Sequence, residues 1–253
     1  MVDPSSEAPT TRTHADGPLV STQWLEDHLD DPSVAIFEVS IDPLPAAGYP
    51  SGHAPGAQFI YWKDLLWHET DREFVTPEAL AARLGQLGIG ETTTIALMGA
   101  PLQFAVYAYW VMTMAGQEHR CVVVDGGRKT WLAEGRPLTT DVITPAPKSI
   151  RPGSPDPTSR VGRAEVLAGL DGDGPVLVDM RSPEEYNGER VSPSWKPFDH
   201  GAERKGHIPG ARHVFFDELL TESGTLLEPD VLAARFDAVG ATEGTDVVTY
   251  CRL

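Results

Sequence analysis

Cysteine is nearly absent. Cys121 and Cys251 are the only two in 253 residues, too few for a disulfide framework or a cysteine-rich metal site, so each thiol has to be judged singly. Basic residues are also scarce: 20 Lys and Arg stand against 37 Asp and Glu, a formal charge of −17, with no basic block to offset it. A chain charged in this way is repelled by phosphate backbones and anionic headgroups, which excludes nucleic acid and a membrane surface as partners. No apolar run approaches the ~18 residues of a membrane span, and the first residues lack the basic, apolar, small-residue order of a secretory leader. The expected protein is soluble and cytoplasmic. Two further patterns are missing, the G-x-x-x-x-G-K phosphate loop and a pair of histidines at i, i+4 beside an acid, so neither a nucleotide cofactor nor a metal is expected.

What is present is ordinary globular material, 41% apolar and 23% charged, long enough for one large domain or two small ones. Residues 1–18 are rich in Pro, Ser, Thr and Asp without periodicity and read as a disordered tail. A proline-rich stretch over 139–160 reads as an extended linker. It separates an expected first domain, 19–138, from a second, 161–253.

The two halves repeat one another. In the first, the apolar run Val34 to Val39 is followed by Gly52-His53-Ala54-Pro55-Gly56-Ala57, then Leu80-Ala81-Ala82-Arg83, then Thr94 to Met98. In the second, Val176 to Met180 precedes Gly206-His207-Ile208-Pro209-Gly210-Ala211, then Leu232-Ala233-Ala234-Arg235, then Val247 to Cys251. The offsets are 154 for the glycine-histidine segments, 152 for the LAAR segments and 153 between Met98 and Cys251. Short β-branched runs alternate with helical patterns: Pro77 suits the first turn of a helix, Leu80, Leu84 and Leu87 follow at helical spacing, and Gly88 ends it. Such alternation predicts an α/β fold, two mostly parallel sheets flanked by helices. The matched turns of His53 and His207 point to packing.

Ligands of open parallel sheets bind beyond the carboxyl ends of the strands. Cys251 sits at such an end, next to Arg252, where inward-facing loop amides and a cation favour the nucleophilic thiolate. The competing reading is a buried structural cysteine, which is the reading adopted for Cys121 within Arg120-Cys121-Val122-Val123-Val124. Arg181, Arg190 and Arg252 are candidates to hold an anionic substrate, since guanidinium offers a fixed fork of donors. Arg181 could equally partner a loop carboxylate, and Arg190 could be a solvated surface residue. Asp179 reads as an orienting residue that accepts backbone N–H bonds. Trp195, Lys196, Phe198 and His200, in the insertion 188–205, mix aromatic and basic groups, and a surface loop is the simplest reading of them. Met112 and Met114 read as core.

Asp179-Met180-Arg181-Ser182-Pro183-Glu184-Glu185-Tyr186, the Gly206 to Ala211 segment and the Tyr250-Cys251-Arg252 end together resemble the two-domain rhodanese family, the thiosulfate and 3-mercaptopyruvate sulfurtransferases. Asp125-Gly126-Gly127 with Trp131 looks like that family's closing strand, turn and helix in the first half. The resemblance implies tandem rhodanese-like domains and a cysteine, here Cys251, that holds a sulfane sulfur as a persulfide. It implies a small anionic sulfur donor, a thiol or cyanide acceptor, no cofactor, and a monomer or weak oligomer. On the repeat offsets, Met98 occupies the corresponding place in the first half. A thioether forms no persulfide, so that domain is expected to be catalytically silent.

The first repeat continues for about 40 residues past Met98, the second for two past Cys251. The repeat therefore predicts a truncated second domain with apolar surface left uncovered. This keeps a second reading open, a non-catalytic binding or regulatory module or inactive remnant. A third, a cysteine phosphatase of related fold, is disfavoured by Tyr250, where a histidine would be expected.

Overall fold

The computed structural model describes residues 17–42, 48–71, 73–172, 174–192 and 204–251. Arg252, Trp195, Lys196, Phe198, His200 and nearly all of the expected N-terminal tail lie outside them. The chain divides into two compact units, Met1–Ser159 with Ser223–Thr225, and Arg160–Glu222 with Leu226–Leu253. Among the described residues no helix is long and apolar enough to cross a membrane.

In chain order, unit 1 contains β1 (Leu19–Val20), α1 (Thr22–Asp27), β2 (Val34–Ser40), β3 (Ala57–Tyr61), α2 (Trp62–Leu66), α3 (Pro77–Gln86), β4 (Thr94–Ala100), α4 (Gln103–Met114), β5 (Cys121–Val124) and α5 (Gly127–Ala133). Its five strands pair in the order β1-β5-β4-β2-β3, all parallel. A parallel sheet is covered on both faces, which is why β4 reads as an unbroken apolar run and not as an alternation. Phe37, Leu97 and Met98 are wholly buried and Trp131 nearly so, each contributing about 1.5–3 kcal/mol of transfer free energy.

Helix α3 shows how local chemistry sets an element. Thr76 Oγ1 accepts the Ala79 N–H at 3.3 Å, Pro77 fills the first turn, and Leu80, Ala81 and Leu84 face inward. The chain then leaves through Gly88 at φ +80°, a conformation glycine adopts without strain.

Residues 139–156 form no helix or strand longer than a single bridge, yet they lie on unit 1. Thr139 exchanges backbone hydrogen bonds with His53, the Lys148 N–H donates to Gly85 O at 2.8 Å, and the Asp156 N–H donates to Met114 O at 3.1 Å. The approach at Gly85 is so close that a Cβ there would stand 2.5 Å from Lys148 O.

Unit 2 contains α6 (Arg163–Ala168), β6 (Val176–Asp179), α7 (Pro183–Tyr186), β7 (Arg212–His213), α8 (Pro229–Asp237) and β8 (Val247–Tyr250). Its strands pair in the order β7-β6-β8, again parallel. The core is smaller, built on Val178, Val214, Leu219 and Ala241 with Leu232 and Phe236 packed against it.

The duplication extends to side-chain geometry. Tyr49 stacks on His53 at 3.7 Å between ring centroids and Tyr186 on His207 at 3.9 Å. Tyr49 donates its hydroxyl to Ala57 O at 2.6 Å and Tyr186 to Ala211 O at 2.9 Å. Each histidine Nδ1 sits within 2.9 Å of its own tyrosine's carbonyl oxygen. Each unit thus pins its glycine-histidine segment with the same tyrosine clasp.

Candidate active site

Strand register fixes which residues of the two units correspond. Gln58 pairs with Phe37, which pairs on its other side with Leu97. Its counterpart Arg212 pairs with Val178, which pairs with Thr249. Two residues further along, Gly99 and Cys251 hold the same place. The expectation that Met98 matches Cys251 is therefore corrected: Met98 matches Tyr250, and the offset through these strands is 152, as in the LAAR segments. The physical reason is that sheet pairing tolerates no one-residue slip, which would turn Met98 out of the core. Loops of unequal length absorb the differences seen elsewhere in the repeat.

The corrected position leaves unit 1 without room for a nucleophile. A Cβ on Gly99 would stand 2.5 Å from Pro101 O and 2.6 Å from Leu102 Cα, backbone atoms at the start of α4 that cannot swing aside. Gly99→Ala is expected to lower the stability of the protein by about 1–3 kcal/mol, read as a fall in the urea midpoint; an unchanged midpoint would show that this turn is soft.

In unit 2 the same place is open. Cys251 follows β8 directly and is exposed, whereas Cys121 is buried. Burial pushes the Cys121 thiol up to about 12, so that group stays protonated. Among the described residues the thiol offered to solvent is Cys251.

Behind Cys251 lies a buried ion pair. Asp179 ends β6 with no exposed surface and Arg181 is nearly as deep. Arg181 donates through Nε to Asp179 Oδ1 at 2.9 Å and through Nη2 to Oδ2 at 2.6 Å, while its backbone N–H donates to Oδ1 at 3.0 Å. The same Nη2 donates to Gly206 O at 2.7 Å. Burial pushes the Asp179 carboxyl up, but the hydrogen bonds from Arg181 outweigh it and hold the group below its ordinary range. The guanidinium is thus engaged with Asp179 and Gly206. Unit 1 places a buried carboxylate at the corresponding register position of β2, where Glu38 is gripped by Arg128 Nη1 at 2.9 Å; that arginine comes from α5.

Tyr186 lies between two histidines, stacked on His213 at 4.6 Å as well as on His207. His213 Nε2 reaches the Arg181 carbonyl at 2.7 Å. The Ser182 hydroxyl caps α7, accepting the Glu185 N–H at 3.4 Å, while the Glu185 carboxylate reaches back to Ser182. Arg190 is half-buried and its backbone N–H reaches Glu184 O at 3.3 Å. Glu184 is held below the usual carboxylate range by hydrogen bonds with its own backbone and with Ser182, and, to a smaller extent, by the charge of Arg190. No hydrogen bond among the described residues joins Cys251 to Arg181 or Arg190.

The sequence reading assigned Tyr250 no role in the site. Its hydroxyl accepts the Ile208 N–H at 3.1 Å, and the residue pairs with Asp179 across β6 and β8. The Arg181 guanidinium lies 5.9 Å from the ring centroid. The available signal was a phenol at the end of an otherwise apolar strand, one residue before the thiol.

A profile of the rhodanese-like domain matches residues 163–253, the segment that carries Asp179, Arg181, Tyr250 and Cys251. A relative from Thermus thermophilus, "Sulfur carrier protein TtuD", is 39% identical over 241 residues, which span 93% of this chain and 82% of that protein. The chain belongs to the rhodanese family. Its sulfurtransferase relatives include a "Putative thiosulfate sulfurtransferase" of Mycobacterium tuberculosis, 34% identical over 236 residues that span 93% of this chain and 83% of that one. Among solved structures, the 3-mercaptopyruvate sulfotransferase SseA of Escherichia coli is 25% identical with a TM-score of 0.74, over 92% of this chain and 87% of its own. The rhodanese resemblance drawn from Asp179 to Tyr186, Gly206 to Ala211 and Tyr250-Cys251 therefore holds, as does the α/β fold class.

Proposed function

We propose that this rhodanese moves a sulfane sulfur from thiosulfate or 3-mercaptopyruvate to cyanide or a thiol through a persulfide on Cys251. The observation that carries the reading is the exposed Cys251 at the carboxyl end of β8, in the unit that the rhodanese-like profile matches. The names of the mycobacterial relative and of SseA support the two donors.

The chemistry follows from the thiolate. Its lone pair attacks the outer sulfur of thiosulfate, an S–S bond forms at Cys251, and the sulfur–sulfur bond of the donor breaks with its electron pair leaving on sulfite. With 3-mercaptopyruvate the broken bond is C–S, and the departing enolate of pyruvate takes up a proton. An acceptor then attacks the outer sulfur of the persulfide, forming thiocyanate or a new persulfide and returning the electron pair to Cys251. No external oxidant is needed, and amide donors around an anionic sulfur would lower both barriers.

In this reading the domain over 161–253 performs the transfer and the domain over 19–138 does none, since Gly99 offers no thiol. Arg190 and Arg252 are the residues proposed to hold the donor's anionic end, and Arg181 supports them from its pairing with Asp179. The test is direct. After incubation with thiosulfate or 3-mercaptopyruvate, the Cys251 peptide should gain the mass of one sulfur atom, lose it to cyanide, and yield thiocyanate. A Cys251 peptide of unchanged mass with both donors would refute the reading. The name of the Thermus relative, a sulfur carrier protein, supports a sulfur held on the chain between donor and acceptor.

A further inference from the structure

Tyr250 occupies the place that in unit 1 belongs to Met98, which is wholly buried in the core. In unit 2 the residue is a phenol whose oxygen ties the end of β8 to a separate segment. It accepts the Ile208 N–H of the 206–211 segment at 3.1 Å, while its backbone lies opposite Asp179 at the end of β6. The backbone of the same residue closes the last rung of the β6–β8 pairing, the Met180 N–H donating to Tyr250 O at 2.9 Å. Arg181 flanks the ring and ties the end of β6 to the same segment through its bonds to Asp179 and Gly206 O.

The residue that immediately precedes Cys251 is therefore held on three sides. A strand end normally frays, because its last carbonyls and N–H groups lose partners and the chain gains freedom. At a nucleophile this freedom is costly to the reaction, since a displacement of about 1 Å can lower a rate by two orders of magnitude. A hydroxyl is also an unusual choice at a position that the other repeat fills with a thioether, unless its hydrogen bond serves a purpose.

We propose that the Tyr250 hydroxyl is a positioning latch that fixes the end of β8, and with it the Cys251 thiol, to the Ile208 N–H of the 206–211 segment. The proposal rests on the reading of Cys251 as sulfur carrier, and its consequences separate from that reading. Tyr250→Phe keeps the ring and removes the latch; Tyr250→Met installs the residue of the other repeat. In both, turnover per loadable site, counted as cyanide-releasable sulfur, is expected to fall about tenfold with the donor KM within about twofold. The Met180 N–H, which bonds Tyr250 O, is expected to exchange with deuterium at least about fivefold faster.

A merely structural tyrosine would lower the number of loadable sites and leave turnover per site unchanged, and that result overturns the latch. Met180 exchange equal to wild type in Tyr250→Phe overturns it as well. If the wild-type chain accepts no sulfur from either donor, the proposed function fails on its own, and the latch stands or falls on the Met180 exchange.

Discussion

Cys251→Ser is expected to abolish sulfur transfer, lowering thiocyanate formation by at least about a thousandfold. A serine hydroxyl remains protonated at neutral pH and cannot form a disulfide-type bond with the incoming sulfur, so the loss is of the intermediate itself and not of a fraction of its stabilisation. The comparison that gives the result its meaning is Cys121→Ala. Cys121 lies in β5 with its Sγ 3.5 Å from Gln117 O, and burial keeps it as a thiol well beyond any working pH. Its removal leaves a small void in the core of unit 1, costing about 1 kcal/mol of stability, with turnover within about twofold of wild type. Full turnover in Cys251→Ser, or a collapse of turnover in a folded Cys121→Ala, would reverse the assignment of the two thiols.

Much of this was legible before any coordinates. The twofold repeat, the parallel α/β class and the helix opened by Pro77 all follow from local signals, because apolar periodicity and capping residues act over a few positions. The resemblance carried by Asp179 to Tyr186 and by Tyr250-Cys251 led to the rhodanese family. The match of Met98 with Cys251 failed because counting along the chain averages over loops of unequal length, whereas register belongs to the hydrogen-bonded pairs of the sheet. Gly99 could not be recognised as closed, since the obstruction comes from the backbone of Pro101 and Leu102. Nor could Tyr250 be read as a contact of Asp179 and Ile208, because those three residues meet only when β6, β8 and the 206–211 segment converge. Long-range convergence leaves no periodic trace in a sequence.

The same convergence makes the Asp179–Arg181 pair the most sensitive point of unit 2. Arg181→Met removes a guanidinium of similar length from a site where the Asp179 carboxylate has no exposed surface, leaving a buried charge without its partner at a cost of about 3–5 kcal/mol at pH 7. Asp179→Asn in the same protein should restore a large part, since a neutral amide beside a methionine carries no unpaired charge. The pH dependence distinguishes charge from packing. In the wild type the carboxyl is held below its ordinary value: burial raises it, and the hydrogen bonds and charge of Arg181 together lower it by more. A folded-state value below the unfolded one contributes stability at pH values above the unfolded value, and that contribution is lost as pH falls through the folded one. Without Arg181, burial becomes the dominant influence and the sign inverts, so that the variant is helped by protonation and loses stability as pH rises through the raised value. The gap between wild type and Arg181→Met, measured by urea unfolding, is therefore expected to be widest towards pH 7 and to narrow progressively as pH falls below about 4. A gap of equal size at both ends would mean that Arg181 serves unit 2 by filling space, and that the charge on Asp179 is balanced from elsewhere.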